Sequence, residues 1–248
     1  MKISVITVCY NAQEHIGNCI RSVICQKYPD VEYIIIDGAS KDGTIDIIKE
    51  FDSGISVLVS EPDKGIYDAL NKGIAIATGD CIGIMHADDF FSDDTVLVKV
   101  ADAFKNNDID ILYGNLDYVN RSDTYKVVRR WRSENYYDKL LLKGWMPAHP
   151  TFYVKRSCYL AFGAYDLKYK SASDYDLMLR FLYHTPFKKY FLNTIMVKMR
   201  EGGTSNKTFR NRWIANREDY LALKNNKIPY PYIVTLFKPI RKILQFFG

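Results

Sequence analysis

Through its first 115 residues the chain alternates apolar runs of strand length with stretches of helical spacing. Residues 2–10, KISVITVCY, are nearly continuously apolar and rich in β-branched side chains, as expected of a strand covered on both faces. Residues 12–26 then carry Ile16, Cys19, Ile20, Val23 and Ile24 at spacings that give a helix one apolar stripe. The strand pattern returns at 32–37, 55–60 and 81–87, the helical one at 44–51, 65–77 and 95–104. This alternation predicts right-handed βαβ units, hence an α/β fold with a mostly parallel sheet flanked by helices.

Open parallel sheets bind ligands beyond the carboxyl ends of their strands, so the residues found there carry the chemistry. The run 81–87 delivers Asp88 and Asp89. Paired carboxylates at a buried strand's exit suit a divalent cation, and oxygen ligands point to Mg²⁺ or Mn²⁺ rather than zinc. A helix cap is the rival reading, but Asp93 and Asp94 already stand where the helix 95–104 wants one. The second strand ends at Asp37 within IDGASKDGT, residues 36–44. Capping accounts for Asp42, Gly43 and Thr44. It leaves Asp37 in need of a donor, such as a base N–H or a ribose hydroxyl. The turn after the first strand, residues 9–12, reads CYNA without a glycine, which excludes the GxGxxG dinucleotide fingerprint; no GxxxxGK[ST] loop occurs either.

Length adds one expectation: 248 residues form one large α/β domain without a separating linker. It divides into a first half at 1–115, a second half at 116–228, and a basic tail at 229–248. Five cysteines without CxxC spacing predict buried thiols in a reducing compartment. No run of 18 apolar residues predicts a membrane-spanning helix, and residues 3–10 lack a signal peptide's cleavage site, so the expected location is cytoplasmic. The net charge of +5 comes without any nucleic-acid-binding motif, and no nucleic-acid partner is expected.

Four motifs in order, ITVCYN at 6–11, IDGASKDGT at 36–44, NKGIAIATGD at 71–80 and Asp88-Asp89, resemble the family 2 glycosyltransferases of the GT-A fold. The segment 60–73, SEPDKGIYDALNKG, resembles bacterial enzymes of colanic acid, O-antigen and exopolysaccharide biosynthesis. The resemblance implies a nucleotide-sugar donor, with Thr7, Cys9 and Tyr10 against the nucleobase and Asp37 hydrogen-bonded to it, uracil being favoured. It implies that Asp63, Lys64 and Asn71 line the donor site, with Lys64 near the diphosphate. Asp88 and Asp89 would be the carboxylates of the metal motif, one reaching the ribose and one the Mn²⁺ or Mg²⁺. The chain departs from the family at His86, where the motif's first aspartate is usual. A packed or backbone-bonded role suits this histidine better than metal ligation.

Inverting glycosyl transfer needs a carboxylate base beside the acceptor and a cation on the leaving group. SASDYDLMLR, residues 171–180, resembles the family's base-bearing helix start, with Asp174 at the catalytic position and Asp176 as runner-up. Simple capping by Ser173 or Asp174 is the competing reading. In WMPAHPTF, residues 145–152, Trp145 and His149 are candidates for the acceptor side, since aromatic faces suit sugar C–H surfaces; His149 is alternatively a loop-holding residue. REGGTS, residues 200–205, has the composition of a hinged loop, which family members close over the diphosphate. The tail 233–247 mixes large apolar residues with Lys238, Arg241 and Lys242, suiting peripheral contact with a membrane, or a helix packed on the domain. The implied function is transfer of a hexose or N-acetylhexosamine, from a UDP-sugar by preference, to a lipid-linked or glycan acceptor. A sugar nucleotidyltransferase and a catalytically silent nucleotide- or carbohydrate-binding subunit are the alternatives.

Overall fold

Strand β1 (Ile3–Cys9) is buried along its whole length, and the architecture is arranged around covering it. It pairs in parallel with β2 (Val31–Asp37) on one side and β4 (Cys81–His86) on the other, and β3 (Val57–Ser60) extends the parallel set beyond β2. The alternation of a strand sends Ile6 and Val8 to one face, where they meet Ala69, Leu70 and Ile74 of α3 (Ile66–Ile76). Ile3 and Val5 go to the other face, onto α1 (Ile16–Ile24), α2 (Thr44–Lys49) and α4 (Val96–Asn106). Polar function is thereby confined to the strand ends. The computed structural model describes residues 1–202 and 209–244, with only the backbone of 209–212 and 242–244.

Beyond β4 the sheet becomes mixed. Its order is β3-β2-β1-β4-β8-β6-β9-β5, with β7 paired to β6. The added strands are β5 (Phe90–Phe91), β6 (Ile111–Val119), β7 (Val127–Trp131), β8 (Tyr153–Lys155) and β9 (Lys189–Arg200). β8 runs antiparallel to both β4 and β6, β7 to β6 and β5 to β9, whereas β6 and β9 are mutually parallel. Strands β1, β2, β3, β4, β6 and β9 thus share one direction, so the mostly parallel expectation holds. The crossing of β4 by β8 needs Gly83, because a Cβ there would lie 2.3 Å from the ring of Tyr153. Helices α5 (Lys139–Leu142), α6 (Arg156–Phe162), α7 (Ser173–Leu182), α8 (Phe209–Asn225) and α9 (Pro231–Leu244) complete the chain. Leu177, Met178, Leu179, Phe181 and Leu182 of α7 join the core that α3 covers, so α7 and the β1–β4 unit share one apolar interior.

The basic tail differs from its sequence expectation. Lys238 pairs with Asp219 at 2.7 Å and lies 3.4 Å from the Tyr175 ring centroid, and Arg241 pairs with Glu134. Both cations therefore face the domain and are not offered to head groups. The exposed side of α9 is apolar instead: Tyr232, Ile233, Leu236, Phe237 and Ile240 are all large and exposed. The side chain of Lys242 and residues 245–248 lie outside the described residues. No described helix is long and apolar enough to cross a membrane.

At the amino ends of the strands, Glu32 draws four donors together: Lys2 Nζ at 2.8 Å, Ser4 Oγ at 2.6 Å, Thr78 N at 2.7 Å and Thr78 Oγ1 at 2.5 Å. Burial alone would raise this carboxyl, but the hydrogen bonds outweigh it and bring it down to about 2. Glu32 is only 6 % exposed, so solvent screens the effect little. A folded-state pKa below the unfolded value of about 4.3 contributes stability that is complete above that value and lost as the pH falls towards 2; its size is on the order of 3 kcal/mol. Glu32→Gln should therefore lower the urea midpoint clearly at pH 7, and the gap to wild type should close between pH 5 and pH 2. A gap that does not vary with pH would contradict this reading.

Candidate active site

The carboxyl ends of β1 and β2 lie side by side, with Cys9 opposite Asp37. Tyr10, immediately after β1, is 61 % exposed. Asp63 leans over the exit of β2: a Cβ on Gly38 would lie 2.5 Å from Asp63 Oδ2 and 3.4 Å from the Tyr10 ring, so the missing side chain is what lets the two converge. The loops beneath are cross-tied, Asn11 N donating to Ser40 Oγ at 2.8 Å and Lys41 N to Asn11 Oδ1 at 2.9 Å. Asn11 and Ala39 both hold positive φ, at 49° and 59°. For a residue with a Cβ that conformation costs roughly 1 kcal/mol or more and persists only where its surroundings enforce it.

Asp37 is fully buried, and the donors it needs come from the protein itself. Ser40 donates through N and Oγ, Ser60 through Oγ at 2.7 Å and Cys9 through Sγ at 3.5 Å. A base N–H would reach Asp37 only by replacing one of these. Burial, with the charge of Asp37, holds the Cys9 thiol protonated. Thr7 is corrected outright: it is fully buried on the α1 side, with Oγ1 3.1 Å from Tyr33 Oη and 3.8 Å from Cys19 Sγ. Asn71 is corrected as well. Its amide donates to Tyr165 O at 2.8 Å and accepts from Tyr165 N at 2.9 Å, so both of its ends clamp α3 to the segment before α7. Lys64 is exposed beside Asp63.

The exit of β4 separates Asp88 from Asp89. Asp88 is half-buried, and no described residue donates a hydrogen bond to its carboxylate. Asp89 is fully buried; Oδ1 accepts from Arg200 N at 3.3 Å, while Oδ2 has no described partner. Burial, then the charge of Asp88, pushes the Asp89 carboxyl up. Arg200 itself is 4 % exposed, donates to Asp88 O at 2.5 Å and lies 4.8 Å over the Phe90 ring. Arg200 and Asp89 thus tie the end of β9 to the β4 exit, and Asp88 is the carboxylate of the pair left partly exposed and without a hydrogen-bond donor among the described residues. No three His, Cys, Asp or Glu side chains among the described residues converge as a metal cage. A single free carboxylate fits Mg²⁺ or Mn²⁺ that takes its remaining oxygens from water and a substrate diphosphate. Of the hinged-loop reading, residues 203–208 lie outside the described residues.

Helix α7 presents Asp174. Tyr67 Oη donates to its Oδ1 at 3.2 Å, and His149 Nδ1 lies 3.8 Å from Oδ2. The His149 ring meets that of His86 edge-on at 5.3 Å. His86 connects the two ends of the site: burial lowers its pKa, and the charges of Asp88 and Asp174 both act in opposition. Capping does not explain Asp174, since α7 has no side-chain cap and Ser173 Oγ donates back to Asp166 O at 2.9 Å. Asp176, the runner-up, is 3 % exposed and bound by Arg180 Nε and Asn226 Nδ2, each at 2.9 Å. Two residues along a helix turn a side chain by about 200°, so Asp176 points away from the Tyr67 and His149 side that Asp174 faces. Trp145 is corrected too: it is 2 % exposed, packed edge-on against Tyr113 at 5.7 Å inside the core, and offers no face to an acceptor.

Sequence reasoning missed Tyr67, which is stacked on Tyr165 at 5.5 Å and has its hydroxyl pushed up by burial and then by Asp174. Its position inside the quoted segment 60–73 was the available signal. Arg200 was missed because its partners, Asp88 and Asp89, are distant in sequence.

The sequence model of glycosyl transferase family 2 matches residues 4–163. A "PGL/p-HBAD biosynthesis glycosyltransferase" of Mycobacterium bovis (strain BCG) is 29 % identical over 209 residues, covering 82 % of this chain and 78 % of that protein. An uncharacterized glycosyltransferase of Mycobacterium tuberculosis is 29 % identical over 187 residues, covering 72 % of this chain and 68 % of its own. Among solved structures, S. aureus TarS 1-349 in complex with UDP-GlcNAc superposes with a TM-score of 0.72 at 16 % identity, over 97 % of this chain and 72 % of that one. The mannosyltransferase PcManGT of Pyrobaculum calidifontis, in complex with GDP-Man and Mn²⁺, gives 0.66 at 18 % identity, over 96 % and 68 %. The fold is GT-A, and the chain, with its carboxylates set at the ends of β2 and β4, belongs to the family 2 glycosyltransferases.

Proposed function

We propose that this glycosyltransferase moves a hexose or N-acetylhexosamine, with inversion, from a UDP-sugar to a lipid-linked or glycan acceptor in surface polysaccharide biosynthesis. The observation that carries this reading is the run of side chains from the β4 exit to α7: His86, two residues before Asp88, meets the His149 ring at 5.3 Å, and His149 Nδ1 lies 3.8 Å from Asp174 Oδ2. The nucleoside lies at the Tyr10 and Asp63 end, the diphosphate beside Asp88, and the sugar between Asp88 and Asp174. As the acceptor oxygen attacks the anomeric carbon from the face opposite the diphosphate, its proton passes to Asp174. Tyr67 holds Oδ1 by its hydrogen bond, leaving Oδ2, on the His149 side, to accept that proton. Mg²⁺ or Mn²⁺ held by Asp88 would stabilise charge on the leaving diphosphate. Structural neighbours that hold UDP-GlcNAc, and GDP-Man with Mn²⁺, support the donor class.

The apolar outer face of α9 supports a place at the cytoplasmic surface of a membrane, where lipid-linked acceptors reside. Because Lys238 and Arg241 are already paired, insertion of Ile233, Leu236 and Phe237 carries the contact.

Following nucleoside diphosphate release from a panel of UDP-, GDP- and dTDP-sugars with Mn²⁺ and an acceptor extract tests the reaction. Turnover with a UDP-sugar is expected; donor binding without turnover would favour a silent subunit. Asp174→Asn should lower turnover by roughly two decades or more while UDP still binds. Asp176→Asn should lower the melting temperature and keep most activity per folded molecule, since it cuts only the Arg180 and Asn226 link. Asp88→Asn should remove the Mn²⁺ dependence of UDP binding. For the membrane contact, Leu236→Glu should release the protein from vesicles while added salt should not. A salt-sensitive association, or a concentration-dependent dimer without vesicle binding, would contradict it.

A further inference from the structure

The start of α7 is held by a residue from another helix. The sequence supplies two local capping candidates there, Ser173 and Asp174, and neither is used: Ala172 occupies the cap position, the Ser173 hydroxyl is turned back onto Asp166 O, and the Asp174 carboxylate accepts from Tyr67. Instead the backbone N–H groups of Lys170, Ser171 and Ala172 all donate to the carboxylate of Glu218 on α8, at 3.0, 2.8 and 3.2 Å, and the Ser171 hydroxyl joins them at 3.0 Å. One side chain, 46 to 48 positions away, satisfies three consecutive amides immediately ahead of the helix that bears Asp174. Placing a negative charge at this end of α7 also suits the helix dipole.

Besides the Tyr67 hydroxyl, which also lies against the backbone amides of Ser173 and Asp174, few contacts fix the Asp174 carboxylate. Its contact with Tyr67 is 3.2 Å long, and His149 at 3.8 Å lies beyond hydrogen-bonding distance. The base is therefore located chiefly by where its backbone sits, two residues past Ala172. We infer that Glu218 is a positioning residue for glycosyl transfer: by gathering the amides of residues 170–172 it sets the first turn of α7 and with it the carboxylate of Asp174. This rests on Asp174 being the base. The docking of α7 as a whole has separate supports. These are the buried Leu177, Leu179 and Phe181, the Asn226 bond to Asp176 at 2.9 Å, and the Asn225 bond to the Tyr169 hydroxyl at 2.9 Å. Removing the Glu218 carboxylate should hence loosen the turn without undocking the helix. A displacement of about 1 Å at a catalytic group is enough to cost up to about a hundredfold in rate.

The experiment compares wild type, Glu218→Ala, Glu218→Gln and Asp174→Asn in the full chain, with amide hydrogen exchange read by mass spectrometry and kinetics read with the nucleotide sugar that the panel identifies. In Glu218→Ala, amides in the peptide spanning residues 168–174 should exchange at least tenfold faster. Its kcat should fall about tenfold or more, while UDP affinity stays within about twofold and the exchange of β1 to β4 is unchanged. Glu218→Gln keeps one acceptor oxygen and should recover part of both effects. A purely structural role would lower kcat, UDP affinity and the melting temperature together. The inference is overturned if Glu218→Ala frees the amides yet keeps kcat within twofold, or if the amides exchange as in wild type. Activity retained by Asp174→Asn would instead overturn the choice of base, and it would leave the exchange result for Glu218 standing.

Discussion

The structure depends on the burial of β1 from both faces. A strand that is apolar on both sides can carry neither charge nor hydroxyl chemistry along its length, except where a buried pair such as Thr7 and Tyr33 satisfies itself. Polar function is displaced to the two rims of the parallel set. At the amino rim the donors converge on Glu32 and lock β1, β2 and the α3–β4 junction. At the carboxyl rim Tyr10, Asp37 and Asp88 emerge side by side because their strands are adjacent and in register, Cys9 opposite Asp37 and Val8 opposite His86. Three residues spread over 79 positions of sequence become neighbours for that reason alone.

The α7 side of the site is placed by polar clamps added to the apolar core that α7 shares with the sheet. Asn71 binds Tyr165 through both ends of its amide, Arg200 and Asp89 fasten β9 to the β4 exit, and Asp176 links Arg180 with Asn226. Each hydrogen bond is worth about 1 kcal/mol net, but deleting one partner strands the other in a buried setting and costs more. Several residues that resemble donor ligands by motif are clamps of this kind. Their place next to the chemistry explains why a motif-based reading assigns them to it.

Periodicity made residues 2–106 legible, down to ends that shift by a few positions. The helix expected from residue 12 begins at Ile16 because Ala12 O first closes a turn with His15 N and Ile16 N. The reversal of strands was not legible: β5 is two residues long, too short for a period, and the direction of β8 is set by partners that lie far off in sequence. In the proposed site, Asp88 and Asp174 stand out in the sequence by strand-exit and helix-start patterns. Asp89 and Asp176, each within two positions of them, look equivalent in sequence and differ only in which way the backbone turns them. Trp145 fails for a related reason, since an aromatic residue in a loop carries no mark of whether its ring faces water or core. The tail's cations were mistaken for lipid contacts because Asp219 and Glu134, which pair with them, belong to other segments.

The central claim is that the nucleotide end at β1 and β2, the cation position at Asp88 and the carboxylate of Asp174 open into one cleft. Paramagnetic broadening by Mn²⁺ in the amide spectrum of the isotopically labelled protein tests this directly. In the presence of UDP, broadening should centre on residues 86–89 and extend across the cleft to the first turn of α7 around Asp174, sparing α2 and the outer face of α9. Broadening centred elsewhere, or broadening of residues 86–89 that leaves the start of α7 untouched, would contradict the account.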